Sequence, residues 1–537
     1  MTLTFDPFVH GVVLVLPLLL AFHGSSEVEL DRRWFHVVPL TEHPDSYASQ
    51  FVDAESAQGK RANVDAFSAG GGRTLSLRLM HRDSPYSPLS TSSDLTPQQR
   101  LLGRLDRDMA RVQALTQRAE IASEGQARDV QRKVNRTSYE NEDRDMTQRG
   151  AHGLRGPVYS GFRQGSGEYF VKLGVGTPAR EMFMVIDTGS DVMWIQCTPC
   201  LDCYEQRDPV FDPTSSSSYR KLSCRSPVCG MLELHGCAGG GDGHCLYQVA
   251  YGDGSFTAGE FSVEELTFGM HGGRGRRPRA STTTTVRVAM GCGHDNEGLF
   301  TGASGLFGLG GGHLSFPSQV GRRYGGVFSY CLMDRDMEGY SSLEFGAYTA
   351  RGDSGDDSDR GAAAPRGTIY TPLFRNARMQ TFYYVALSGI SVGGHLLPIP
   401  ARAFRMNGGG AGGVIVDSGT SVTRLVEVAY GPLRSAFRAA TRDLPFAGGY
   451  SLFDTCYDLS RRSTVKLPTM SLHFEGGSEV ALPANNYFIP VDATGTFCLA
   501  FAGSPGELSI IGNIQQQGFR VTFDTASMRI GFSPNQC

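Results

Sequence analysis

From Gly167 onward, apolar residues fall in short runs or near-strict alternation, interrupted every few positions by Gly, Pro, Asp or Ser. A period of two with frequent turn residues predicts many strands joined by tight connections. Segments 167–178, 180–190, 381–394, 412–421 and 519–532 read as strands, whereas Glu427 to Arg442 is one of few convincing helices. The predicted fold class is mainly β. Upstream the pattern differs. Thr96, Pro97 and Gln99 fit an N-cap, a first-turn proline and a capping-box partner, and Leu101, Leu105, Met109 and Val112 follow at helical spacing, predicting an amphipathic helix that packs on something. At the start of the chain, Val12 to Phe22 is an unbroken apolar run of eleven residues ahead of Gly24, Ser25 and Ser26. A bilayer-spanning helix takes about 20 residues, so this run fits a signal-peptide core, although Asp6 and His10 precede it with no Lys or Arg.

Composition sharpens this division. The chain has 537 residues, 40% hydrophobic and 19% charged, enough apolar material for a large core and too long for one small domain. A net charge of −4 offers no basic footprint for nucleic acid or an anionic membrane, and neither is expected as a partner. All twelve cysteines lie late: Cys197, Cys200, Cys203, Cys224, Cys229, Cys237, Cys245, Cys292, Cys331, Cys456, Cys498 and Cys537. An even number behind a secretory signal points to disulfides made in an oxidising compartment, with pairing left open. Residues 25–155 hold 19 basic and 19 acidic residues and no cysteine, which reads as a removable leader; the single glycosylation acceptor, Asn135-Arg136-Thr137, lies in it. Residues 271–280, 351–367 and 407–413 are Gly-rich or charged and read as surface insertions.

The most informative pattern is an internal repeat. "MVIDTGSDVMW" around Asp187 and "VIVDSGTSVTRL" around Asp417, 230 residues apart, each deliver an Asp from an apolar strand into a tight turn. Gly189 and Gly419 allow close backbone approach there. If the loops face one another, the two carboxylates cannot both ionise at contact distance, so they share a proton. One Asp-Ser/Thr-Gly alone is an ordinary turn; two in matching apolar settings are a strong signal.

Over about residues 75–537 the chain resembles the pepsin family of aspartic proteases, specifically its plant nepenthesin-like branch, and there most of all those called aspartic protease in guard cell. Besides both Asp motifs, the resemblance includes "YGDGS", the flap, with Tyr251, Gly252, Asp253 and Gly254; Trp194, the aromatic that supports the flap tyrosine; "GLFGLG" at 305–310 and "LSIIGN" at 508–513, which pack beside the Asp loops; and a cysteine-rich insertion at 197–245. The leader phrase "SLRLMHRDSPYSP" is similar to prosegments of these enzymes. The resemblance implies a bilobal pepsin-like acid protease fold of two β-rich lobes with the active-site cleft between them. The expected division is a signal peptide at 1–24, a propeptide at 25–155, an N-terminal lobe at 156–365 and a C-terminal lobe at 366–537.

It also implies roles. Asp187 and Asp417 would activate a water for peptide hydrolysis at acid pH without a covalent intermediate. Thr188 and Ser418 would interlock the loops, Ser190 and Thr420 would support the dyad with hydroxyls, and Tyr251 would close over an extended peptide substrate. No cofactor or metal is called for. The expected product is a monomer, secreted to the apoplast or held in a vacuole, with its own prosegment as inhibitor and with leader arginines pairing to cleft carboxylates at neutral pH. The alternative is a catalytically silent relative acting as an inhibitor or binding protein; the intact motifs at both Asp187 and Asp417 favour the enzyme. Gly352-Asp353-Ser354-Gly355 and Arg351-Gly352-Asp353 sit in a charged low-complexity loop and read as chance matches, "GLFGLGGG" lacks the end of a phosphate loop, and His294 and His313 read as ordinary surface or satisfied histidines. Cys197, Cys200 and Cys203 have metal-like spacing but belong with the disulfide set.

Overall fold

A computed structural model describes residues 34–40, 75–81, 96–135, 169–239, 243–251, 255–268, 284–298, 300, 302–333, 341–346 and 367–537. The signal segment, the flap tip at 252–254, most of the glycosylation triplet and the insertions at 271–280 and 351–366 lie outside them.

Short, strongly alternating strands pair mostly with antiparallel neighbours, and one sheet organises the molecule. Its order is Ile369–Asn376, Arg529–Ser533, Arg520–Asp524, Val327–Cys331, Ser341–Phe345, Leu75–His81 and Tyr169–Val175, every pair antiparallel. Strands from both lobes therefore share one hydrogen-bonded base. A leader strand, Leu75–His81, fills its interior and buries Leu77, Leu79 and His81. Above it a continuous apolar core runs through both lobes, with Phe328 stacked on Phe523 at 4.6 Å between ring centroids.

Each lobe repeats one local arrangement. In the first, Arg180–Asp187 runs parallel to Gly305–Gly308. In the second, Val414–Val416 runs parallel to Ser509–Ile511. Glycine is required where these segments cross: a Cβ added to Gly305 would lie 2.0 Å from the Trp194 carbonyl oxygen. The anticipated hydrophobic-Gly partners of the Asp loops occupy the expected places, and the anticipated C-terminal helix forms at Glu427–Ala440, burying Ala429, Tyr430, Leu433 and Phe437.

The leader helix spans Pro97–Asn135 and opens with the predicted capping box: Thr96 N–H donates to Gln99 Oε1 at 2.9 Å and Gln99 N–H to Thr96 Oγ1 at 3.2 Å. Leu101 and Leu105 pack with Val422, Phe453 and Ile514, while Val112, Leu115 and Ala119 pack with Phe382, Tyr384 and Ile415. Met109 departs from expectation and is exposed. The buried stripe runs 101, 105, 108, 112, 115, 119, alternating steps of four and three, so Asp108 rather than Met109 takes the inward position.

All twelve cysteines are paired: Cys197–Cys292, Cys200–Cys203, Cys224–Cys237, Cys229–Cys245, Cys331–Cys537 and Cys456–Cys498. Three bridges lie within the insertion, and Cys197–Cys292 ties its start to the long strand Thr284–Glu297. His294 Nδ1–H donates to the Pro199 carbonyl at 2.9 Å, the satisfied setting expected of it.

Candidate active site

The two Asp-bearing turns meet at the junction of the lobes, and both carboxylates are buried. Thr188 and Ser418 interlock them: Ser418 N–H donates to Thr188 Oγ1 at 2.9 Å and Thr188 N–H to Ser418 Oγ at 3.4 Å. Thr188 Oγ1 also reaches Asp417 Oδ1 at 3.2 Å, so this contact orients a carboxylate as well as joining the loops. Gly189 N–H donates to Asp187 Oδ1 at 2.8 Å, and Thr420 Oγ1 donates to Asp417 Oδ2 at 2.5 Å. Ser190 is also buried beside the dyad. Its Oγ has no hydrogen-bond partner among the described residues, while Asp187 Oδ1 accepts from Gly189 N–H and from an arginine of the leader.

That arginine is Arg111. Its Nε donates to Asp417 Oδ2 and its Nη2 to Asp417 Oδ1, each at 2.8 Å, and Nη2 also bonds Asp187 Oδ1. One guanidinium thus bridges both carboxylates. Burial by itself would raise the Asp417 carboxyl, but the Arg111 charge and the bonds from Arg111, Thr420 and Gly419 hold it below its ordinary value. Burial would likewise lower the Arg111 guanidinium, and Asp187 with Asp417 raises it instead. Glycine makes the approach possible: a Cβ on Gly419 would lie 2.3 Å from Arg111 Cζ.

Three further leader side chains surround this plug. Arg118 Nη1 donates to the Gly189 carbonyl at 3.1 Å, and Arg104 Nη2 to Asn513 Oδ1 at 3.1 Å. Asp108 is buried and accepts from Ser421 N–H, from Val422 N–H at 3.1 Å and from Arg424 Nη2 at 2.5 Å.

On the N-terminal side, Tyr251 stands where the flap begins. Trp194 Nε1 donates to its hydroxyl at 2.9 Å, and its N–H donates to the Ser255 carbonyl at 2.7 Å across the hairpin. Gly252, Asp253 and Gly254 lie outside the described residues. Behind the dyad, Asp191 joins the lobes, accepting from Thr381 Oγ1 at 2.7 Å and Gly312 N–H at 2.9 Å. Burial raises its carboxyl despite those bonds.

Sequence reasoning brought the dyad, its interlocking hydroxyls and the Trp194–Tyr251 pair together, but did not single out Arg111, Asp108, Arg424 or Asp191. A signal existed for the leader set: Arg104, Arg111 and Arg118 recur every seven residues, on the inward face of the helix.

Two loops delivering paired aspartates across the junction of two β-rich lobes, each braced by a parallel hydrophobic-Gly strand, define the pepsin-like class. Family models described as xylanase inhibitor N-terminal and xylanase inhibitor C-terminal match residues 169–347 and 382–534. The chain is 46% identical to aspartyl protease family protein 2 of Arabidopsis thaliana, covering 93% of this chain and 91% of that protein. It is 44% identical to the protein named aspartic protease in guard cell 2 of the same plant, over 88% and 90% of the two chains. It is 37% identical to aspartic proteinase nepenthesin-1 of Nepenthes gracilis, over 72% and 81%. The solved structure titled edgp shares the fold, with a TM-score of 0.52 and 20% identity over 68% of this chain and 91% of that one. The chain belongs to the plant aspartic protease family and is an aspartic-type peptidase.

Proposed function

We propose that the chain is a secreted zymogen whose Asp187 and Asp417 hydrolyse peptide bonds at acid pH once the leader has left. The observation that carries this reading is Arg111, a leader side chain bonded to both carboxylates at the point where a catalytic water would stand. A substrate peptide cannot share that space. The leader is thus a prosegment, and inhibition is a direct occupation of the dyad.

With Arg111 gone, two adjacent buried carboxylates retain one proton between them. We read the charge onto Asp417, because Thr420 Oγ1 and Thr188 Oγ1 donate to it while Gly189 N–H is the donor to Asp187 from its own lobe. Asp417 then takes a proton from the water as its oxygen attacks the scissile carbonyl, and protonated Asp187 donates to the carbonyl oxygen. The tetrahedral intermediate collapses as Asp417 passes the water's proton to the leaving nitrogen and the C–N bond breaks, while Asp187 takes back a hydroxyl proton, with no bond formed to the enzyme. Tyr251, held by Trp194, closes over the extended peptide.

The pH sign follows from Asp417. Arg111 holds the Asp417 carboxyl below its ordinary value, so the contact favours the leader-bound state while Asp417 is ionised and is lost as pH falls through the lowered value. Activation therefore belongs at acid pH. The test takes the full chain from pH 7 to 3.5 and follows leader loss and peptide cleavage beside Asp417→Asn. Loss of both activities in the variant supports the reading; leader loss and cleavage persisting in Asp417→Asn would refute it. The second reading, a silent binding protein, is favoured by the xylanase-inhibitor description of the matching family models, and a wild-type chain that cleaves nothing at any pH would select it.

A further inference from the structure

We propose that the released enzyme carries a subsite for an acidic side chain, built from the Arg424 guanidinium and the backbone N–H groups of Ser421 and Val422, so that peptides with Asp or Glu near the scissile bond are preferred substrates. The inference rests on the peptidase reading above and adds a substrate class to it.

In the leader-bound state these three donors converge on one carboxylate, that of Asp108. Ser421, Val422 and Arg424 follow directly on the Asp417 loop and remain with the enzyme, whereas Asp108 departs with the leader. Among the described residues, the carboxylate paired with Arg424 is that of Asp108. Arg424 Nη1 is buried without a hydrogen-bond partner even now, so the guanidinium has spare donor capacity. Two backbone N–H groups and a forked cation in a cleft wall match a carboxylate far better than a neutral or basic group.

Position follows from the helix. Asp108 and Arg111 are one turn apart, a rise of about 4.5 Å, and an extended peptide advances about 3.3 Å per residue, so the acidic side chain sits within about two or three residues of the bond cleaved. The leader occupies this site as a substrate would: Arg111 blocks the dyad while Asp108 fills the neighbouring pocket, and Leu101 and Leu105 cover the adjoining apolar wall at Val422 and Ile514.

The test uses the acid-processed full chain and peptides with a fixed apolar pair at the scissile bond, placing Glu, Gln or Lys in turn at each of the three positions on either side. At pH 5, one position is expected to favour Glu over Gln by about tenfold or more in kcat/KM, one charge-assisted contact's worth. The preference collapses in Arg424→Gln and partly returns in Arg424→Lys. Equal cleavage of Glu and Gln peptides at every position, or a Glu preference that survives Arg424→Gln, overturns the proposal. Should the wild type cleave neither these peptides nor unfolded protein, the peptidase reading fails and this inference falls with it. Independently of any Arg424 variant, a synthetic peptide of residues 101–119 is expected to inhibit at least tenfold less well with Asp108→Asn; equal inhibition would count against the subsite.

Discussion

Replacing Arg111 with leucine keeps much of the side chain's apolar stem and removes the guanidinium that bridges Asp187 and Asp417. Truncating one partner of a buried ion pair costs about 3–5 kcal/mol, because the remaining charge is left without compensation. Here the two carboxylates relieve part of that cost by binding a proton, since adjacent carboxyls without a cation cannot both stay ionised. The lower half of the range is therefore the working figure. At about 1.4 kcal/mol per factor of ten, leader docking weakens roughly a hundredfold to a thousandfold. The pH dependence shifts as well. The Arg111 charge and its hydrogen bonds are the largest of the influences that lower the Asp417 carboxyl, ahead of the bonds from Thr420 and Gly419, so without them proton binding at the dyad begins at higher pH. Arg111→Leu is expected to cleave an internally quenched peptide at a less acid pH than wild type with the leader still attached, and to lose the leader at a higher pH than wild type. Arg111→Lys, which keeps the charge but not the fork, falls between the two. Gels and fluorescence read together separate activity from processing. An Arg111→Leu chain with the wild-type pH threshold for both would refute the plug.

Trp194→Phe removes the donor to Tyr251 and, at about 1 kcal/mol for a net hydrogen bond, lowers kcat/KM roughly fivefold with little change in thermal stability. Asp191 titrates with the opposite sign to Asp417: its raised carboxyl costs the fold stability as pH climbs through and above the ordinary carboxyl value. Asp191→Asn should therefore gain stability relative to wild type from pH 3 to pH 7, and parallel melting curves at both would contradict the assignment. Removing Cys331–Cys537, which closes a separation of 206 residues, is expected to cost about 5 kcal/mol by loop entropy, against about 1–2 kcal/mol for Cys200–Cys203, three residues apart; calorimetry on the two double-alanine chains gives the comparison.

What was legible in the sequence was whatever repeats locally. Alternation named the strands, Thr96 with Gln99 named the helix start, and the matching phrases around Asp187 and Asp417 named the dyad, because each signal is complete within a dozen residues. The contacts missed are those closed across the chain. Arg111 reaches Asp417 over 306 residues and Asp108 reaches Arg424 over 316, and nothing in either neighbourhood specifies the other. Met109 shows the same limit on a smaller scale. After Leu105, a 3.6-residue period gives 108 and 109 nearly equal claim to the core, and Asp108 takes it because Arg424, Ser421 and Val422 bond its carboxylate. Ser190 matches Thr420 by position, yet Thr420 Oγ1 donates to Asp417 while Ser190 Oγ has no hydrogen-bond partner among the described residues.

Leu75–His81 lies between Ser341–Phe345 and Tyr169–Val175, bonded along both edges. A cut in the chain anywhere from 82 to 168 severs this strand covalently and leaves both ladders in place. Release would open a gap one strand wide in the floor common to both lobes, exposing two rows of N–H and C=O groups and the seats of Leu77 and Leu79. Scission and dissociation are therefore separate events with separate barriers. If the chain is processed upstream of residue 169, whether this strand stays bound then decides whether the floor common to both lobes remains closed.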